Sequence, residues 1–468
     1  MAVEAPRETI FALSTPPGRS GIAVIRVSGP AAGVALEAVT GAGRPTPRLA
    51  RLVSFSDPES GEPIDRGLAL WFPAPGSFTG EDVAELHLHG GRAVVAAMVD
   101  TLGRLPDLRL AEAGEFTRRA FDNDKLDLAE VEGLADLIAA ETEAQRRQAL
   151  RQMDGGLSRT VEAWRGRLVR ALAHIEAEID FPEEDIPAGL VEQVRSEVRA
   201  IETALTETLE DQSCGERLRE GLLVAIVGAP NVGKSSLLNA LARRDVAIVS
   251  ETAGTTRDVI EVHLDLKGWP VILADTAGLR RVAEESDPSF ENEVDAVERE
   301  GMRRARDRAA VADLKIAVFD AVSWPDLDRE TAGLLDENSL ILVNKVDLVP
   351  EAERSSLGRG AGNGGLKREG IATSARTGAG LQRVIDRLGE MAEERLGVAG
   401  VDVRVTRARH RVALEDCRAA LERAAAVSSL ELAAEDLRLA ARALGRIAGR
   451  VDVEELLDVI FRDFCIGK

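Results

Sequence analysis

Hydrophobic positions along the chain follow two alternating rhythms. From residue 1 to about 120, short apolar runs such as GIAVIRVSG, RGLALWFP and AELHLHGG sit between turns rich in proline and glycine. Runs of that length bounded by turn formers predict strands with a few helices packed on them, an α+β domain. Between about 126 and 215 the apolar residues recur at intervals of three and four, as in LDLAEVEGLADLIAAETEAQRRQAL and LSRTVEAWRGRLVRALAHIEAEI. This spacing lines one helix face and predicts long helices. Pro182 and Pro187 in FPEEDIP interrupt them, because proline lacks the N–H that a helix interior needs. A strand-turn-helix alternation fills 221 to 393, from LLVAIVG to LQRVIDRLGEMAEERL, and helical spacing returns over 404 to 448. The pattern predicts a multidomain α/β and α chain. Its parts are an α+β domain over 1–122, a helical domain divided between 123–218 and 394–468, and an α/β unit over 219–393 inserted into that domain.

Composition narrows the setting. Cys214, Cys417 and Cys465 are scattered and odd in number, so no disulfide framework is expected and a reducing cytosol suits the chain. The start, MAVEAPRETIF, lacks the basic and apolar regions of a leader, and nowhere do roughly 18 apolar residues run together. The expectation is a cytoplasmic protein with no membrane span. A net charge of -21 opposes non-specific attraction to nucleic acid, so an RNA partner would have to meet a local basic patch or a second protein. Arg404, Arg407, Arg409 and Arg411 form such a cluster and are the candidate RNA contact.

The chemistry concentrates in the inserted unit. GAPNVGKS, Gly228 to Ser235, lies between an apolar strand and the helix SSLLNALARR and fits G-x-x-x-x-G-K-[ST]. Backbone N–H groups through Asn231, Val232 and Gly233 would curl around phosphates and Lys234 would reach the β- and γ-oxygens. Ser235 would ligate Mg²⁺, with Ser236 following on the same helix N-terminus. DTAG places Asp275 at a strand end, where it can hold Mg²⁺ through water, and continues through Thr276 and Ala277 to Gly278, whose N–H can meet the γ-phosphate. The loop before it, Ser250, Glu251, Thr252, Ala253, Gly254, Thr255 and Thr256, could close over the metal, with Thr256 as a ligand. In NKVD, Asn344, Lys345 and Asp347, the aspartate offers two acceptors to the N1–H and amine of guanine, which adenine cannot match. Ser374, Ala375 and Arg376 form a following motif placed to present the Ala375 N–H to guanine O6. The set predicts a Ras-like P-loop domain that binds GTP. Ras-type sites orient the attacking water with a glutamine after the glycine of DTAG; here that residue is Leu279, so another side chain and another positive charge must serve.

These motifs, together with TPPGRSGIAVIRVSG, SFTGEDVAELHLHGG, GEFTRRAFDNDKLDLAEVE, DFPEED and the terminal FCIGK, resemble the tRNA-modification GTPase family called MnmE or TrmE over nearly the whole chain. The resemblance implies a homodimer built through N-terminal folate-binding domains. It also implies a flavin-dependent partner of the MnmG or GidA kind, a heterotetramer with it, and tRNA as substrate. The wobble uridine would be modified at C5 with a one-carbon unit from formyl- or methylene-tetrahydrofolate. By the same resemblance K⁺, held by Asn231, Ser250, Thr252 and Thr255, replaces an arginine finger and draws two GTPase domains face to face. Glu298 would position the water, in a segment longer and more acidic than usual where Glu293 competes. Arg26, Glu85, Lys125 and Lys468 would hold the folate, and Cys465 would stand beside the one-carbon donor as a nucleophile or proton donor. His87 and His89 share a strand face and read as polar surface, not as metal ligands. The rival reading is an RNA-binding regulatory GTPase of ribosome assembly, which would normally carry an appended RNA-binding module where this chain has amphipathic helices.

Overall fold

The computed structural model describes residues 8–180, 190–210, 212–244, 246–248, 261–275, 309–354, 369–397 and 405–451, with 357, 457, 460, 461, 464 and 467. The chain divides into two compact units, one formed by 1–135, 151–202 and 413–468, the other by 136–150 and 203–412.

In the first unit six strands, β1 (Thr9–Leu13), β2 (Ser20–Ser28), β3 (Arg51–Ser56), β4 (Pro63–Phe72), β5 (Val83–Gly90) and β6 (Leu108–Leu110), form one sheet. Its order is β3-β4-β5-β2-β1-β6. All neighbours are antiparallel except β1 and β6. Alternation along the strands sends Phe11, Ile25, Val27, Phe55 and Leu86 to one face, where helices Ala32–Thr40 and Arg92–Arg104 supply Leu36, Met98 and Leu102. Each such side chain contributes about 1.5–3 kcal/mol by leaving water. On β1, Ile10 and Ala12 instead pack with Ala111, Phe116 and Phe78. The helical part pairs Gly156–Asp180 with Leu430–Ile447, the second capped by Ser429, whose hydroxyl accepts from the Leu432 N–H.

The long helical run read over 126–150 is broken in the structure into Leu128–Ala139 and Glu143–Met153. The cause is local. Thr142 and Gln145 form a reciprocal cap: the Gln145 N–H donates to Thr142 Oγ1 at 3.4 Å and the Thr142 N–H donates to Gln145 Oε1 at 3.1 Å. Periodicity alone passes over such a restart.

In the second unit β7 (Leu222–Val227), β8 (Glu261–Leu266), β9 (Trp269–Asp275), β10 (Leu314–Asp320), β11 (Ser339–Asn344) and β12 (Ile371–Ala372) form a sheet of order β12-β11-β10-β7-β9-β8. Every pair is parallel except β8 with β9. Near-continuous aliphatic strands such as LLVAIV and SLILVN suit a sheet covered on both faces. Helices Lys234–Ala242 and Leu381–Leu396 supply Leu237, Leu241, Val384 and Leu388 to the core. The order switches direction at β7, and ligands of open α/β sheets bind at the carboxyl ends of the strands beside such a point.

The C-terminal tail returns to the first unit's sheet. Phe461 and Phe464 pack with Leu128 and Val131, and Ser14 Oγ just beyond β1 donates to Gly467 O at 2.9 Å. Gly467 has φ of +101°, and a Cβ there would collide with the Leu13 carbonyl. Gly467→Ala is therefore expected to release the tail, at a cost of about 1 kcal/mol or more. Carboxypeptidase digestion should remove the terminal residues faster in the variant than in the wild type, and equal rates would refute the docking.

Candidate nucleotide site

β7 ends at Val227 and the chain turns through three backbone conformations with positive φ: Gly228 at +158°, Asn231 at +62° and Gly233 at +99°. Gly228 is held against the Val318 carbonyl of β10, with no room for a side chain. Gly233 ends the turn and opens the helix Lys234–Ala242. Its first turn carries Lys234, Ser235 and Ser236, so the helix N-terminus, with its positive partial charge, and a lysine gather at one point, the arrangement that attracts phosphate. Lys234 Nζ donates to the carbonyls of Gly228 at 2.8 Å and Ala229 at 3.0 Å, lying along the loop it serves. Asp275 terminates β9 directly opposite Ile226, so its position falls at the same sheet edge.

The residues expected to read the base converge on the loop from the other side of β10. Asn344, at the end of β11 and 2% exposed, donates from Nδ2 to Val232 O at 2.8 Å and accepts at Oδ1 from the Ala375 N–H at 3.1 Å. A side chain on Gly233 would strike that amide. Lys345, at φ of +66°, pairs with Asp320 Oδ2 at 2.7 Å. Ser374 Oγ donates to Asp347 Oδ1 at 2.6 Å, and this hydrogen bond lowers the Asp347 pKa from its ordinary value, with Arg376 and Arg354 adding positive charge. The carboxylate therefore stays ionised, as an acceptor, well below neutral pH. The Ala375 N–H, expected to face guanine O6, is held by Asn344, so recognition of O6 requires that bond to be shared or exchanged.

In the first unit Arg26 and Glu85 stand opposite each other on β2 and β5. Arg26 donates to Glu85 Oε1 from Nη2 at 3.0 Å and from Nε at 3.2 Å, and its guanidinium lies 5.3 Å from the Phe78 ring and 5.8 Å from Phe116. His87 Nε2 lies 3.3 Å from Glu85 Oε2, and Lys125 Nζ donates to Pro75 O at 3.1 Å. His89 pairs with Asp65, and no metal-binding cluster occurs among the described residues. Ser250, Glu251, Thr252, Ala253, Gly254, Thr255, Thr256, Thr276, Ala277, Gly278, Leu279, Glu293, Glu298, Arg404, Cys465 and Lys468 lie outside the described residues.

Comparison with known proteins fits this geometry. The family model described as "MnmE helical domain" matches residues 128–465, and "GTP-binding protein TrmE N-terminus" matches 9–125. The "tRNA modification GTPase MnmE" of Paramagnetospirillum magneticum is 56% identical over 461 residues, covering 98% of this chain and 100% of that protein. That of Parvibaculum lavamentivorans is 56% identical over 469 residues with the same coverage. The chain belongs to the MnmE family of tRNA modification GTPases. A rat relative named "5-taurinomethyluridine-[tRNA] synthase subunit GTPB3, mitochondrial" is 48% identical over 482 residues, covering 99% of this chain and 94% of that one.

The MnmE chain departs from the sequence reading at one surface and adds to it at one site. Two arginines of the cluster proposed to meet RNA are paired with carboxylates, Arg407 with Asp136 at 2.7 Å and Arg411 with Glu216 at 3.4 Å, so their charge is partly neutralised. Asp320, which holds Lys345, was missed; its signal was an aspartate closing the apolar run LKIAVFD, just as Asp275 closes WPVILAD. Replacing Asp347 by Asn in this MnmE protein should weaken GTP binding by about 100-fold, because the amide presents a donor where guanine also donates. Xanthosine triphosphate should then bind better than GTP in a competition titration. No gain for xanthine would remove Asp347 from base recognition.

Proposed function

We propose that this GTPase is the GTP-hydrolysing component of a complex that modifies the wobble uridine of certain tRNAs at C5, working with a flavin-dependent partner and a folate. Full-length similarity carries the reading: 56% identity over 98% of the chain to tRNA modification GTPases. The rat relative's name, a subunit of a tRNA uridine synthase, supports both the base and the need for a partner.

In this reading Lys234 and the N–H groups of Asn231 to Gly233 hold the phosphates, Ser235, Thr256 and Asp275 hold Mg²⁺, and Asn344, Asp347 and Ser374 to Arg376 hold guanine. Glu298 positions the water in place of Leu279, and K⁺ on Asn231, Ser250, Thr252 and Thr255 supplies the charge that an arginine finger would otherwise bring. Arg26, Glu85, Lys125 and Lys468 hold the folate. The Arg26–Glu85 row beside two aromatic rings suits a flat, polar ring, since the carboxylate accepts from ring N–H groups while guanidinium and rings bound the plane. Bound folate would supply the one-carbon unit, with Cys465 as the candidate nucleophile or proton donor. The homodimer is supported by an exposed apolar set on the first unit's sheet, where Ile22 is 61%, Leu52 57% and Leu68 39% exposed, Leu52 lying opposite Leu68. No described helix is long and apolar enough to cross a membrane, and the proposed setting is the cytoplasm.

Nucleoside analysis of tRNA from a strain lacking the gene should show wobble uridines without their C5 substituent, restored by the wild-type gene; unchanged nucleosides would sink the assignment. The cation site makes a separate forecast. GTP hydrolysis by the purified protein should run about tenfold or more faster in K⁺ than in Na⁺ at equal ionic strength. Equal rates would exclude K⁺ as the missing charge.

A further inference from the structure

The nucleotide-binding sheet is gripped at the end remote from its phosphate loop. β7 and β9 run parallel, with Leu222 opposite Val271 and Ile226 opposite Asp275. The turn between β8 and β9, Lys267 and Gly268, therefore lies beside the start of β7, while Gly228 and Asp275 lie beside its finish. At the remote end the Ala144 N–H donates to Gly268 O at 3.1 Å. Gln145 Nε2 donates at 3.0 Å to the carbonyl of Arg219, just ahead of β7. On β8, His263 Nδ1 lies 3.1 Å from Glu141 Oε2.

Three residues within a run of five, Glu141, Ala144 and Gln145, thus hold both the lead-in to the strand that carries the glycine-rich loop and the hairpin that ends at Asp275. Capping the helix Glu143–Met153 requires none of these three contacts. The cap uses Thr142 and Gln145 Oε1, which accepts from the N–H groups of Glu141 and Thr142 at 3.1 Å each. The Gln145 side-chain amide divides its work: its oxygen caps the helix and its nitrogen tethers the sheet.

The hairpin is also the element that joins the two loops assigned to the phosphates and metal, since Ser250–Thr256 precede β8 and DTAG begins at the last residue of β9. A strand of seven residues spans roughly 20 Å and does not shorten, so movement at one end of the hairpin displaces the other. Coupling between two sites is reciprocal: what the nucleotide does to the helix, the helix does to nucleotide affinity.

We propose that residues 141–145 form a clasp coupling nucleotide state to the helix Glu143–Met153, with Gln145 as its positioning residue. The coupling concerns GTP and GDP alone and stands or falls independently of the folate and of the tRNA chemistry. In the full-length protein, amide hydrogen exchange over 143–150 should differ several-fold between the GDP state and the state bound to the β,γ-imido analogue of GTP. Gln145→Glu keeps the oxygen that caps Thr142 but removes the donor to Arg219. This variant should keep its melting temperature within a few degrees, lose most of the exchange difference, and shift the ratio of analogue to GDP affinity several-fold. A purely structural Gln145 would lower stability without moving that ratio. Identical exchange in the two nucleotide states of the wild type overturns the proposal without recourse to any variant, as does an undiminished difference and an unshifted affinity ratio in Gln145→Glu.

Discussion

The nucleotide site depends on one buried amide. Asn344 sits at the end of β11, yet its Nδ2 holds the carbonyl of Val232 in the phosphate loop and its Oδ1 holds the N–H of Ala375 in the loop after β12. Three segments far apart in the chain take their relative positions from that side chain. A buried donor or acceptor left without a partner costs about 1–3 kcal/mol, so rotation of the amide that leaves either group unpaired is disfavoured. Gly233 follows from the same constraint: the amide occupies the volume where its side chain would be. The loops expected to bind phosphate and to read the base are thereby set against each other, and Asp347, bonded to Ser374, is placed by the loop that Asn344 anchors.

Charge is used in the first unit in the same manner, to orient more than to stabilise. Arg119, 7% exposed, is held between Glu81 at 3.0 Å and Glu115 at 2.9 Å. Burial alone would raise the Glu115 pKa, but hydrogen bonds from Arg109, the Glu112 N–H and Arg119 hold it below its ordinary value. Glu81 also accepts from Ser28 Oγ at 2.8 Å, and Ser28 meets Thr79 at 2.7 Å, so the segment leading into β5 is pinned to β2 beside the Arg26–Glu85 pair. Desolvating three charges leaves little net stability; what the network provides is a single placement of the loop that carries Phe78. The same segment contains the SFTGED run, whose polar residues are thus largely accounted for by internal hydrogen bonds.

Sequence alone was sufficient wherever chemistry is written in consecutive residues. The phosphate loop, NKVD and the strands feeding them were legible because glycines that permit a tight turn, a lysine at a helix start and aliphatic runs each act within a few positions. The alternation in residues 1–120 likewise forecast a sheet with packed helices, because side-chain period is a local property of a strand. What stayed hidden was every pairing across long separations. Arg407 and Arg411 read as a basic patch because their partners, Asp136 and Glu216, are remote in sequence. The break at residues 140–142 was masked by an apolar spacing that continues through it, while the cap responsible is a hydrogen-bond geometry.

The amino-acid sequence by itself determined the GTPase class, the insertion of an α/β unit in a helical chain, and the family. Tertiary structure alone decided that Asn344 spans two loops, that Lys345 answers to Asp320, and that residues 141–145 hold the remote end of the sheet. The physical reason is range. Propensity, capping and loop chemistry act over a few residues and leave marks in composition and spacing, whereas a hydrogen bond between residues tens or hundreds of positions apart depends on where the packed sheet brings their atoms, and no local pattern records it.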